Sequence, residues 1–326
     1  MTVALFVVDL VVGSVAVPLG EVWRALFGAE GESEVYATIV RNFRLPKAIM
    51  ALLAGAALSS VGLQMQTLFR NPLAGPYVLG VSSGASLGVA LFTLAMPMLG
   101  VLSTSWFMRF GLTGMAWIGS ALILMLVMSL SRRIKNINVI LILGMMLGSA
   151  ISAVVGILQY IGTEESLKAF MVWTMGSLSN VTIADLYVLV PVIVVGLILA
   201  ISAVKSLNML LLGENYARTM GLRVNRSRIV IFLSTTLLAG TITAFCGPIG
   251  FIGLAMPHLA RMTFRTADHR ILMPASLLWG AVAMLLCCVV CDLVAHNGIM
   301  LPVNTITSLL GVPIILIVVL RNRNRQ

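Results

Sequence analysis

Apolar runs of about 20 residues alternate with short polar breaks along almost the whole chain. A helix rises ~1.5 Å per residue, so such a run matches a hydrocarbon layer ~30 Å thick. Runs of this kind occupy 1–19, 47–65, 78–100, 110–131, 137–161, 186–204, 229–246, 271–295 and 302–320. A further run, 248–264, is shorter and interrupted by Pro257. The pattern predicts an all-α polytopic membrane bundle of about ten transmembrane helices, with short helices in some connections. No stretch reads as a soluble domain, so residues 1–326 are expected to form a single transmembrane domain. The first run starts at Met1 and carries Asp9 and Gly13, as if the chain began inside its first helix. No basic region precedes it, which argues against a cleaved signal peptide.

Composition agrees: 60% of residues are hydrophobic, 10% are charged, and the mean hydropathy is +1.06. The net charge of +10 changes the picture only when it is placed on the loops. With all ten runs spanning, most basic residues fall on one side: Arg70, and the clusters at 132–135, 205–228, 261–270 and 321–325. The positive-inside tendency assigns that side, and both termini, to the cytoplasm of a bacterial plasma (inner) membrane. Omitting the 248–264 span would split the last two clusters between sides. The basic residues are dispersed over loops, which argues against nucleic acid and for membrane lipid as the surroundings. On the opposite side, 20–43 reads as an acidic outer loop from Glu21 to Glu34. There too, 162–185 reads as a short interfacial helix anchored by Phe170 and Trp173.

Candidate chemistry is sparse. Cys246, Cys287, Cys288 and Cys291 all lie in or at the ends of apolar runs. The Cys288/Cys291 pair has no second ligand pair, so packing is expected rather than a disulfide, a metal site or a cofactor. Asp9 and Asp292 are the acidic residues inside spans; Asp292 lies near His296, as a proton relay or as a helix-end polar contact. A secondary transporter would keep more ionisable groups at membrane depth. An intramembrane enzyme would show a polar catalytic set, and none is visible. Gly80, Gly84 and Gly88 repeat every four residues, as do Gly144, Gly148, Ser152 and Gly156. Such stripes serve close helix packing or line a pathway.

The polar insert LLLGENYARTMGLRV, 210–224, interrupts this pattern. Glu214 and Arg218 are spaced i,i+4 on one face, Tyr216, Ala217 and Met220 are placed on the other, and Gly221 stands where a helix C-cap takes a left-handed residue. A compact helix in a membrane-protein connection implies that something docks there.

Several stretches carry a family resemblance: QTLFRNPLAGPYVLGVSSGAS at 66–86, RLPK at 44–47, NMLLLGENYARTMGL at 208–222, GPIGFIGLAMPHLAR at 247–261, DHRILMP at 268–274 and LPVNTITSLLGVPIIL at 301–316. In that order they resemble the FecCD permease family, the type II ABC importers of iron-siderophores, haem and vitamin B12. The resemblance covers nearly the whole chain. It implies a homodimer of ten-helix subunits, two separate ABC ATPase subunits beneath it, and a periplasmic or lipid-anchored substrate-binding protein above. It also implies a coupling helix that includes Gly213, Glu214, Ala217, Arg218 and Gly221. Arg44 and Lys47 are then docking residues for the binding protein, and Asn136, Ile137 and Asn138 a cytoplasmic gate. His258, in the Pro-His-x-x-Arg motif ending at Arg261, is structural or faces the ATPase. The chain departs from the family at His296, where many members carry an arginine. No G-x-x-x-x-G-K-[ST] occurs, so no P-loop on this chain holds ATP and the subunit is not expected to be an enzyme. The resemblance favours an iron chelate as cargo, with cobalamin as the alternative.

Overall fold

The computed structural model describes residues 1–13, 15, 17–27, 34–95, 105–134, 136–294 and 301–323. Among them there are helices and no strand. In chain order these are α1 (Thr2–Val11), α2 (Leu19–Phe27), α3 (Glu34–Leu68), α4 (Val81–Ala95), α5 (Ser105–Arg133), α6 (Ile137–Ile161) and α7 (Glu164–Thr174). Then follow α8 (Ile183–Ser202), α9 (Val204–Leu211), α10 (Glu214–Thr219), α11 (Val224–Cys246), α12 (Ile252–Phe264), α13 (His269–Val294) and α14 (Val303–Arg323).

Six of these, α3, α6, α8, α11 and α13 with the Gly111–Ser131 part of α5, are long and apolar enough to cross a membrane. α1, α4 and the Val303–Val318 part of α14 are shorter apolar helices, and α12 has 13 residues with Pro257 inside it. Several expected spans thus hold with shifted ends, while the run 1–19 contributes only a ten-residue helix. Within the acidic stretch 20–43 the described residues, 20–27 and 34–43, are helical: they form α2 and the first turns of α3, with Glu21 paired to Arg24 at 2.8 Å. Leu19, Trp23 and Phe27 repeat at i, i+4, i+8 on the exposed face of α2, and the two rings lie 4.4 Å apart.

α3 is the axis of the bundle. From Ala48 to Leu68 nearly every residue is buried, against α8, α12 and α13. Close approach there depends on missing side chains. A methyl on Gly280 of α13 would lie 2.1 Å from the Gly55 carbonyl oxygen of α3, and one on Gly62 would lie 1.6 Å from that of Gly253. Bare backbone at such points lets helices touch over a large area, where dispersion supplies much of the attraction. Three π turns, Val40–Arg44, Leu91–Ala95 and Thr236–Gly240, interrupt the α ladders of α3, α4 and α11. Several hydroxyls within spans return to the preceding turn, as Thr235 does to Ile231 and Thr243 to Ala239, which satisfies those donors inside the bilayer.

Two proline- and glycine-rich segments, 71–80 and 247–251, leave the helical ladder. Irregular backbone at membrane depth must be covered by protein. These two cover each other: the Tyr77 hydroxyl bonds Ile249, and Gly253 packs on Pro76. Below them His258 Nε2 donates to the Pro72 carbonyl at 2.9 Å, and Arg261 donates to Gln66 at 2.6 Å. The Pro-His-x-x-Arg motif therefore fastens the end of α12 to the segment that follows α3, a structural role for His258.

Candidate functional site

The end of the bundle that carries the basic clusters holds the 213–221 segment. Gly213 sets its entry with φ +100°, and Ala217 NH returns to the Gly213 carbonyl at 2.9 Å. The exit is a Schellman turn: Leu222 NH bonds the Ala217 carbonyl at 2.9 Å, Gly221 NH bonds that of Arg218 at 3.0 Å, and Gly221 has φ +86°. A six-residue helix is too short to persist by propensity alone; here both ends are closed by backbone bonds.

Glu214 lies 3.8 Å from Arg218, the partner its spacing suggests. Its principal partner is Arg228, which donates to Glu214 Oε1 through Nε at 3.1 Å and also through Nη2. Arg228 is 1% exposed, and a buried guanidinium is tolerated only when it is paired and bonded. It reaches one step further, donating to the Ile134 carbonyl at 3.4 Å, at the C-terminal end of α5. Sequence reasoning missed Arg228. The available signal was its position, a basic residue at the mouth of an apolar run.

Ala217 is fully buried, while Tyr216 is 56% and Met220 51% exposed. These three do not share a face. Ala217 anchors the helix inward, whereas Leu212, Tyr216 and Met220 form an outward stripe at i, i+4, i+8. Beside the helix opens a recess of about 1110 Å³. Asn136, Ile137 and Asn138 line it together with Gly213, Glu214 and Arg218, so the expected gate and coupling residues border one space. Asn136 also caps α6, its side chain accepting from Asn138 NH at 3.0 Å. Arg70 lines the recess as well, in a left-handed conformation with φ +48°.

A polar cluster ties the preceding helix, α9, to the bundle. Asn208 donates to Asp268 at 2.6 Å and accepts from both His269 NH and Nδ1 at 2.8 Å. On the other side of the ring, Nε2 lies 2.7 Å from Thr67 Oγ1, whose hydroxyl also reaches the Leu63 carbonyl at 2.9 Å. The Arg270 amide and the Asn208 side chain hold the Asp268 carboxyl below its ordinary pKa of 3.8.

At the opposite end, Arg44 and Lys47 face inward. Arg44 is buried and donates to the carbonyls of Leu10 (2.8 Å), Val11 (2.7 Å) and Val15, closing the end of α1. Lys47 pairs with Asp292 at 2.5 Å, beside a cavity of about 310 Å³ formed with the 175–180 and 301–303 segments. His296, the neighbour considered for Asp292, lies outside the described residues. Phe170 and Trp173 of α7 do not anchor to lipid: Phe170 is buried and Trp173 packs against the same apolar cluster. The small-residue stripes divide. Gly80 opens α4 with φ +76°, Gly84 and Gly88 abut Gly119 and Met115 of α5, and Gly144 and Gly148 abut Val78 and Ser83. Ser152 is exposed, and Gly156 has open space around it. All four cysteines are free and buried. No cluster of three or more metal-ligating side chains occurs among the described residues.

Comparison with known proteins places these features. The FecCD transport family matches residues 1–321. The hemin transport system permease protein of Yersinia pestis is 37% identical over 289 residues, 87% of this chain and 84% of that protein. The vitamin B12 import system permease protein of Salmonella typhi is 36% identical over 307 residues, covering 93% and 89%. A solved structure of a metal-chelate type ABC transporter in an inward-facing conformation superposes with a TM-score of 0.83 at 30% identity, covering 98% of this chain and 96% of that one.

Proposed function

The chain belongs to the FecCD transport family, and from that premise we propose that it is the membrane-spanning permease of an ATP-driven ABC importer of iron chelates, a siderophore or haem. It works with separate ATPase and substrate-binding subunits. As a single transmembrane domain it pairs with a second copy, both termini lie in the cytoplasm, and the pathway runs between the two copies. ATP is consumed by the partner subunits, because this chain carries no P-loop.

One observation carries the reading: a doubly capped helix, pinned by Glu214 to a buried Arg228, displays Leu212, Tyr216 and Met220 outward. A rigid helix with an apolar outer stripe fits a groove on another protein and transmits displacement, as a floppy loop would not. Its neighbours across the recess, Asn136 to Asn138, then gate the pathway at the same end. Ser152 and Gly156, on the exposed side of α6, face that pathway or the second copy.

Iron chelates are preferred because the hemin permease and the metal-chelate transporter flank the chain in similarity. The vitamin B12 relative is nearly as similar, which keeps cobalamin as the second cargo. The test is uptake into proteoliposomes holding this chain, its ATPase and its binding protein. ATP-dependent accumulation of haem or a ferric siderophore is expected. Accumulation of cobalamin alone would reassign the cargo, and transport without any ATPase would overturn the class.

A further inference from the structure

We propose that Arg228 is the strut that carries displacement of the 214–219 helix to Ile134, at the end of α5, and so to the neighbouring start of α6. The proposal rests on the reading of that helix as the ATPase contact. The helix and residues 136–138 border the same recess of about 1110 Å³. Arg228 spans from the helix to the end of α5: Nε and Nη2 hold Glu214, in the first turn of α10, and Nη1 holds the Ile134 carbonyl. That carbonyl is one of the acceptors a helix leaves unsatisfied at its C-terminus. Asn136, two residues along the chain, caps α6, so Ile134 is the close chain neighbour through which α6 is reached.

The fork geometry suits the task. A guanidinium presents donors in fixed directions and can hold two acceptors at once, whereas an ammonium is a compact point charge on a flexible stem. Burial removes competing water, which strengthens both contacts. An ion pair that merely stabilised the loop would need Glu214 alone. The bond to Ile134 is what makes Arg228 a link between two elements.

The experiment uses the complete complex in proteoliposomes, with uptake measured per ATP hydrolysed. Spin labels at Val139→Cys, near the start of α6, and Asn215→Cys, on the 214–219 helix, report the separation of the two elements through the nucleotide cycle. In Arg228→Lys, and in Arg228→Met/Glu214→Gln, the ATPase is expected to co-purify and hydrolyse ATP. Uptake per ATP should fall at least tenfold, and the label separation should broaden. The charge swap Glu214→Arg/Arg228→Glu separates the strut from a plain ion pair. It restores the pair, but a carboxylate cannot donate to the Ile134 carbonyl, so uptake per ATP should stay low. Recovery in the swap, or unchanged uptake and label separation in folded Arg228→Lys, overturns the proposal. Failure of the unmodified chain to bind its ATPase would instead overturn the reading on which it rests.

Discussion

The Tyr77 hydroxyl serves both backbone groups of Ile249, donating to its carbonyl at 2.9 Å and accepting from its amide at 3.1 Å. One side-chain oxygen thus closes the hydrogen-bond account of an irregular segment inside the bundle. Tyr77→Phe strips the partner from a buried donor and a buried acceptor at once. It should cost about 1–3 kcal/mol, read as a lower unfolding midpoint in detergent. An unchanged midpoint would mean water replaces the hydroxyl, and that this segment is wetter than its packing suggests.

Tyr216→Asp and Met220→Asp alter exposed side chains and should leave insertion and thermal stability intact. Each should weaken ATPase association about tenfold or more, ~1.4 kcal/mol, measured by binding to the solubilised permease. Wild-type affinity in both variants would remove this stripe from the contact. Added bulk at Ala217 is a poorer probe, because that side chain is fully buried and a larger one would overpack the chain's own interior.

Lys47→Met leaves the half-buried Asp292 without its partner and should destabilise by about 1–3 kcal/mol. Lys47→Met/Asp292→Leu should recover most of that loss, since neither charge is then stranded. If the double variant is no better than the single one, the pair matters through something other than mutual compensation. Arg44→Glu would set a carboxylate against three carbonyl oxygens, so a folding defect would precede any effect on a docking partner.

Gly280→Ala drives a methyl to 2.1 Å from the Gly55 carbonyl oxygen and forces α3 and α13 apart, for about 1–3 kcal/mol. Gly156→Ala meets nothing within 4 Å and should be neutral to stabilising by up to ~1 kcal/mol, from helix propensity. Comparing the two in one unfolding assay separates packing glycines from exposed ones. Equal effects would contradict the geometry.

The depressed pKa of Asp268 fixes a sign. A carboxyl lowered on folding contributes above its unfolded pKa, and that contribution fades as pH falls through the lower folded value. The stability difference between the native chain and Asp268→Asn should therefore be full near neutrality and shrink progressively as pH falls through the unfolded carboxylate range, about pH 4, and below. A difference that grows on acidification would refute the assignment.

Hydropathy located the long helices because their signal is a property of each run alone. α6 falls at 137–161 in both the pattern and the structure. The turn chemistry of Gly221 was equally legible, since a left-handed C-cap is a local demand. Partners distant in the chain were not. Lys47 and Asp292 are 245 residues apart, and nothing local tells a lysine at a helix end whether it faces water or an aspartate of another helix. Glu214 shows the same limit at shorter range: its i,i+4 neighbour is evident from spacing, but Arg228 is chosen by the fold of the intervening turn. Phe170 and Trp173 were misplaced because an aromatic residue suits a membrane interface and a protein interior equally well. Gly55 and Gly62 went unnoticed because single glycines announce close approach only when the facing backbone is known.

The π turn at Thr236–Gly240 has a consequence for chain length. One such turn absorbs a single extra residue while the helix on either side keeps its facing. Removing one residue between 236 and 240 should restore a plain α ladder and leave both halves of α11 in register with their neighbours. The same deletion in the middle of α13 would turn everything beyond it by about 100°. Tolerance of length change inside the membrane is thus concentrated at a few turns, and at those turns the loss of a codon would be milder than many single substitutions.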